Sequence, residues 1–279
     1  KRIEEARLSA DEDTATVQIV DLSPIPQETI SPDRPRVYVV GVVFGILMGF
    51  GLGTLSEVLD DRVKSSMEIE RDFGLRVLGI VPRIRKIQRH ELALAGLNNK
   101  FGYVTEAFAG VRSILDSPQF EDVSRSILIA SSTPEEGKTI TSSNLAGMFA
   151  RSGQKTLLID FDLRRPRMAR IYEEALGAMD GEAQEYSLLH RLASGVKASW
   201  KDLPLQGPVE NLYVITSQAS ETISPAEVIG SDAVKELMSW ATENFDRVII
   251  DSPPLGVISD SNVLASLVDC VILVCRPNK

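Results

Sequence analysis

The stretch that most constrains this chain begins with the apolar run Ser126-Ile127-Leu128-Ile129-Ala130. It passes into Ser131-Ser132-Thr133-Pro134-Glu135-Glu136-Gly137-Lys138-Thr139 and then Ile140-Thr141-Ser142-Ser143-Asn144-Leu145-Ala146. A short apolar run reads as a buried strand, and the residues after Thr139 have helical spacing. A loop that closes on Gly-Lys-Thr between the two turns backbone N–H groups and the positive end of a helix dipole toward one point, where a polyanion fits. In that pattern Lys138 reaches the β and γ phosphates of a nucleotide, and the Thr139 hydroxyl ligates Mg²⁺. The loop departs from G-x-x-x-x-G-K-[ST] at its first position, where Ser132 stands, and Pro134 stiffens it by fixing its own φ.

Two more apolar runs end in acids. Leu157-Leu158-Ile159 leads into Asp160-Phe161-Asp162-Leu163-Arg164, and Val248-Ile249-Ile250 leads into Asp251-Ser252-Pro253-Pro254. Carboxylates two apart in extended backbone share a face. Beside a nucleotide's phosphates such a pair can hold Mg²⁺ through water and take a proton from an attacking hydroxyl. An acid after a second apolar strand supplies the other metal contact in P-loop enzymes. Runs at 212–216 and 271–274 read as further strands, separated by helical segments at 225–244 and 260–267. Near-continuous apolar strands alternating with helices predict an α/β fold, a P-loop NTPase with a mostly parallel sheet covered by helices on both faces. Ligands of such sheets bind beyond the carboxyl ends of the strands.

The region before this domain has a different character. Residues 1–8 read as the end of a charged helix and 14–20 as a strand. Pro24, Pro26, Pro32 and Pro35 then predict an extended, stiff connector without regular helix. Val37 to Leu55 carries no charge over a length close to the ~20 residues that cross a bilayer as a helix. Gly41, Gly45, Gly49 and Gly53 fall on one face of that helix, where a neighbouring helix can approach. Arg62, Lys64, Arg71 and Arg76 follow the span, so its C-terminal side is expected in the cytoplasm. A helix at 65–76, a strand at 77–82, a basic linker at 83–89 and a helix at 106–115 complete the reading. The net charge of −9 argues against a nonspecific nucleic-acid surface. Cys270 and Cys275 read as reduced core residues.

Together the three motifs resemble the Walker A, Walker A′ and Walker B sequences of the bacterial tyrosine kinases. Walker A matches Ser132-x-Pro134-x-x-Gly137-Lys138-Thr139, Walker A′ Asp160-x-Asp162-x-Arg164, and Walker B Asp251-x-Pro253-Pro254. The proline-rich segment before a membrane helix resembles the polysaccharide co-polymerases to which these kinases are fused. The resemblance implies transfer of the γ-phosphoryl of ATP to tyrosine, regulating exopolysaccharide or capsule polymerisation and export. It implies nucleotide contacts from Ser132, Pro134, Glu135, Glu136, Gly137, Lys138, Thr139 and Ile140. Mg²⁺ would be held by Thr139, Asp160, Asp162 and Asp251. Catalysis would fall to Lys138, Asp160 and Asp162, either aspartate being able to act as the base. The implied domains are 1–36, the end of an extracytoplasmic co-polymerase domain with its connector; 37–55, the transmembrane helix; 56–100, a juxtamembrane linker; and 101–279, a cytoplasmic kinase domain truncated at its C-terminus. The implied setting is the bacterial inner membrane and its lipid, with a homo-oligomeric ring, polysaccharide polymerase and export machinery, and a cognate tyrosine phosphatase as partners.

The family's assembly signature Glu-x-x-Arg-x-x-Arg reads here Glu106-x-x-Ala109-x-x-Arg112, so its middle arginine is missing. Partition and septum-positioning ATPases of the same fold carry a lysine five residues before the P-loop lysine, where this chain has Thr133. A scaffold with a degenerate site is the remaining reading, and against it all the Lys, Thr and Asp residues are present. Tyr172 and Tyr186 lie in polar surroundings suited to accepting phosphate, and Tyr213 reads as a core residue.

Overall fold

The computed structural model describes residues 33–59, 66–84, 87–97, 101–120, 123–176, 187–194, 199–255 and 260–276. The chain divides into two compact units, Lys1–Asp61 and Arg62–Lys279. The strand at 14–20, the helix at 1–8 and Tyr186 lie outside the described residues.

In the first unit, helix α1 spans Arg34–Val58 and buries none of its residues. At ~1.5 Å per residue its 25 residues reach about 38 Å, more than the ~30 Å hydrocarbon core of a bilayer. Pro35 does not lie in the extended connector that the sequence predicts. It occupies the first turn, where the missing N–H has no intrahelical partner to lose.

The second unit holds a six-stranded sheet in the order β3-β4-β2-β5-β1-β6. Its strands are β1 (Ser126–Ala130), β2 (Thr156–Asp160), β3 (Leu205–Gln206), β4 (Leu212–Ile215), β5 (Arg247–Asp251) and β6 (Cys270–Leu273). All neighbours are parallel except β3, a short antiparallel edge on β4. Alternate side chains enter two separate cores. Ile127, Ile129, Leu158, Leu212, Val214 and Ile249 pack on one face with helices α4 (Gly102–Leu115) and α5 (Lys138–Arg151). Leu128, Leu157, Ile159, Ile215, Val248 and Ile250 pack on the other with α7 (Leu188–Ala193), α8 (Pro225–Ile229) and α9 (Asp232–Asn244). Burial of both faces explains why β1, β2 and β5 read as continuous apolar runs; on the edge strand β6, Val271 and Leu273 are exposed.

Several expectations change. Residues 74–84 form no strand; Leu78 packs on the first core and a Cβ on Gly79 would meet Val111 Cγ2 at 2.7 Å. The long helix at 225–244 is two helices, parted at Gly230 and Ser231. Helix α2 covers Ser66–Phe73, and a short α3 covers Arg89–Ala93. Beyond α3 the chain is packed down, with Ala93 and Ala95 fully buried. Asn144 of α5 holds this segment: its Nδ2 donates to Leu92 O and its Oδ1 accepts from Gly96 N. Arg151 Nη1 donates to Gly96 O at 2.8 Å, and Leu97 lies so close to Gly147 that a Cβ there would meet it at 2.3 Å. Ala109 is partly buried on the first core, while Glu106 is exposed and Arg112 faces Asp116 at 3.9 Å. Cys270 is half-buried on β6, but Cys275 is exposed rather than a core residue.

Beneath the sheet, Arg247 at the start of β5 gathers Ser124, Gln154 and Asp116. Its Nε donates to Gln154 Oε1 at 2.8 Å and its Nη2 to Asp116 at 3.0 Å. Nη1 donates to both Ser124 O and Ser124 Oγ. Every nitrogen of this buried cation is hydrogen-bonded, which offsets the cost of placing a charge in a core.

Candidate functional site

Parallel pairing brings the C-terminal ends of β1, β5 and β2 side by side in that order. Ile129 is in register with Asp251, and Asp251 with Asp160. Each acid on these strand ends therefore faces the mouth of the loop after β1.

That loop is closed by its own side chains. Glu136 accepts from Thr133 N at 2.9 Å and from Ser132 Oγ at 3.1 Å. Burial works to raise the Glu136 carboxyl, but those donors, with Ser131 and the Arg276 N–H, outweigh it and hold the group below its usual value. Gly137 caps α5 at φ 110°, a left-handed conformation that costs glycine little. Glu135 is also left-handed, at φ 68°, which is uncommon for a residue with a side chain. Ile140 lies in the first turn of α5 and packs on the first core.

Lys138 is buried and folds back along the loop, its Nζ donating to Ser131 Oγ at 2.7 Å. Ser131 in turn donates to Thr133 O at 2.7 Å. Burial pushes the Lys138 ammonium below the usual lysine range, against the pull of Asp251, Asp162 and Glu136.

The three predicted aspartates meet at the mouth in unequal environments. Asp160 ends β2 and is almost fully buried, its Oδ1 accepting from Asp162 N at 3.1 Å and its Oδ2 from Met168 N at 3.2 Å. Burial, then the charges of Asp251 and Asp162, drive it well above the carboxylate range despite those donors. Asp162 lies beyond the strand end and is half-buried; its Oδ1 accepts from Arg165 N at 3.2 Å. Burial raises it too, opposed by that N–H and by the charges of Lys138, Arg167 and Arg165. β2 stops at Asp160, although Phe161 N still donates to Asp251 O at 2.8 Å.

Asp251 is raised to about 7 by burial first and by Asp162, while the Thr139 hydroxyl, Lys138 and Arg167 pull it down. Its Oδ1 is buried without a hydrogen-bond partner. A buried, unpartnered carboxylate oxygen is costly unless an ion or water completes it. With the Thr139 hydroxyl beside it, the donor set is all oxygen and suits a hard divalent cation. Among the described residues no three His, Cys, Asp or Glu side chains are grouped closely enough to hold a metal ion by themselves. The residues therefore fit a cation that takes most of its ligands from water and phosphate, as Mg²⁺ does.

Two side chains escaped the sequence reading. Asp260, at the start of helix α10 (Asp260–Ala265), is buried and holds Arg164 Nε at 3.0 Å. Ser131 holds Lys138, a role the motif does not announce. Ser252 Oγ donates to Ile129 O at 2.9 Å and Leu255 N to Ser131 O at 2.8 Å, tying the turn after β5 to the loop after β1. Tyr172 is not in polar surroundings: on helix α6 (Met168–Leu176) it is 1% exposed, and its hydroxyl is buried without a partner.

The model of the AAA domain family matches residues 124–279. The tyrosine-protein kinase etk of Escherichia coli (strain K12) is 25% identical over 293 residues, covering 99% of this chain and 39% of its own length. The putative tyrosine-protein kinase CapB of Staphylococcus aureus is 31% identical over 172 residues, covering 61% of this chain and 71% of its own. Among solved structures, the kinase domain of Escherichia coli tyrosine kinase ETK superposes with a TM-score of 0.61 at 27% identity, over 75% of this chain and 80% of that one. The chimerical protein CapA2B2 gives 0.62 at 27% identity, over 75% and 84%. The chain spans about two fifths of the length of the relative etk that it matches nearly end to end.

Proposed function

The chain belongs to the AAA domain family and, within it, to the bacterial tyrosine-protein kinases, and from that membership we propose that it moves the γ-phosphoryl of ATP onto tyrosine. The observation that carries the reading is the convergence of Lys138, Thr139, Asp160, Asp162 and Asp251 at the mouth of one anion-binding loop. The loop N–H groups, the N-terminus of α5 and Lys138 cradle the phosphates, with Ser132, Pro134, Glu135, Glu136 and Ile140 shaping the cradle. Lys138 leaves Ser131 for the phosphate oxygens when nucleotide enters. Thr139, Asp251, Asp160 and Asp162 would hold Mg²⁺. Bound there, the cation neutralises the charge that gathers on the β and γ oxygens.

The tyrosine oxygen attacks the γ phosphorus in line, the bond to the β-phosphate oxygen breaks, and ADP leaves with that electron pair. The phenolic proton passes to a carboxylate. Asp162 suits this role better than Asp160, because Asp160 has both oxygens engaged by backbone donors while Asp162 is half-exposed and keeps one oxygen free. Positioning and charge neutralisation carry most of the catalysis. The whole protein is proposed to act in exopolysaccharide or capsule polymerisation and export, anchored in the inner membrane by α1 with the kinase unit in the cytoplasm. In this reading it works as a homo-oligomer beside the polymerase and export machinery and a cognate tyrosine phosphatase.

The test is ATP-dependent phosphotyrosine on the full chain. Wild type transfers phosphate and Lys138→Met abolishes it. ATP binding without transfer by wild type leaves a nucleotide-binding scaffold and sinks the kinase reading.

A further inference from the structure

Four arginines fall within seven residues, Arg164, Arg165, Arg167 and Arg170, in a chain of net charge −9. Arg164 is committed to Asp260. The other three are exposed, and among the described residues none of them forms an ion pair. Arg165 and Arg167 have a special position. Arg165 N donates to Asp162 and Met168 N to Asp160, so the backbone from 162 to 168 wraps the two carboxylates, and both guanidinium stems rise from that wrap. Their charges reach Asp162, and that of Arg167 also reaches Asp251 and Lys138.

The strand order decides what these charges face. The anion-binding loop lies at the end of β1, Asp251 at the end of β5, and the arginine wrap at the end of β2, two strands away. Two strand spacings are about 10 Å. In-line displacement puts the leaving oxygen and the attacking oxygen on opposite sides of the phosphorus. With the nucleotide's leaving group on the β1 side, the acceptor enters over β2, across Arg165 and Arg167. Left alone, the carboxylates of Asp160, Asp162 and Asp251 would repel an acidic acceptor. The rim reverses the sign of the field at that entrance.

We propose that Arg165 and Arg167 form a cationic rim that selects, as phosphoryl acceptor, a tyrosine flanked by acidic residues on a polypeptide segment. The inference rests on the kinase reading above. Guanidinium groups in planar bidentate contact favour carboxylates, and one charge-assisted hydrogen bond corresponds to about tenfold in affinity or more.

The experiment uses the full chain in detergent with ATP and Mg²⁺, and two synthetic peptides that share one tyrosine. One peptide has glutamates on both sides of it and the other serines. Initial rates of phosphotyrosine formation and fluorescence anisotropy of peptide binding are both read as the acidic-to-neutral ratio. Wild type should favour the acidic peptide about tenfold. Arg165→Glu with Arg167→Glu should bring the ratio to one or below, and the paired Arg→Lys variant, which keeps the charge but not the bidentate fork, should give an intermediate ratio. Raising the salt from about 0.1 to 0.5 M should erode the wild-type ratio, a measurement that needs no variant. Equal handling of the two peptides by wild type, or an unchanged ratio in the Glu variant, overturns the rim. Failure to label either peptide overturns the kinase reading instead; the anisotropy ratio then still decides the rim, tenfold supporting it and unity refuting it.

Discussion

At the scale of single residues, the site stores an electrostatic cost that ligand removes. Asp251 titrates near 3.8 when unfolded and about 7 when folded, because burial penalises its charge. Between those values the folded chain binds more protons than the unfolded one, so stability falls as pH rises from about 4 to about 7 and levels off above. Asp160 and Asp162, also raised, add to the same slope. The nucleotide-free chain should therefore show a lower melting midpoint at pH 8 than at pH 5. Asp251→Asn should raise the midpoint at pH 8 by about 5 °C and flatten the slope, while weakening Mg²⁺-dependent nucleotide binding. An unchanged slope in scanning calorimetry would mean that Asp251 is charged at no cost. Lys138, Thr139 and the aspartates were legible in the sequence, because each sits at a fixed distance from an apolar run. The partners that tune them were not. Ser131 and Asp260 act through contacts that depend on where other elements lie, and Tyr172 looked accessible only because its sequence neighbours are charged.

Among the elements, α5 joins two jobs. Its N-terminus forms part of the anion-binding loop, and its side holds residues 92–97 through Asn144, Arg151 and Gly147. Gly147→Ala would drive a methyl group into Leu97, at a cost of about 1–3 kcal/mol. Asn144→Ala would leave Gly96 N without its partner and Leu92 O with only Ala95 N, a penalty of similar size. Both variants should speed hydrogen exchange at 92–97, and urea unfolding should register the loss. Normal protection there would show that the clamp is dispensable. The buried strands were legible because both faces are covered and no polar residue interrupts them. Residues 77–82 carry the same apolar signal without becoming a strand; composition cannot say whether a free sheet edge lies alongside, and the described edges are β3 and β6. The helices at 89–93, 168–176 and 188–193 were missed for the opposite reason. They are short or charge-rich, and their apolar faces become decisive only once the sheet exists to receive them.

For the whole molecule, α1 and the α/β unit differ in surface. Helix α1, 25 apolar-rich residues with none buried, is long and apolar enough to cross a membrane. Val43→Lys with Leu47→Lys should cost about 5–7 kcal/mol of insertion and move the chain from floating liposomes to the soluble fraction. Retention of the double variant in the lipid fraction would show that attachment does not depend on this span. The apolar span was legible from composition, and the P-loop domain from the spacing of its motifs along the apolar runs. The packing of 92–97 onto α5 was not, since it joins residues about fifty apart. The strand order carries a further cost in time. β5 inserts between β1 and β2, and its neighbourhood pairs across 91 residues, as Lys155 does with Asp246. A ribosome adding about 5–20 residues per second needs roughly 5–18 s to cover that distance. Throughout it β1 and β2 are already made and wait with their inner edges bare. The same order that lines up Asp160, Asp251 and the phosphate loop thus leaves the nascent chain exposed to wrong pairing until β5 has been made.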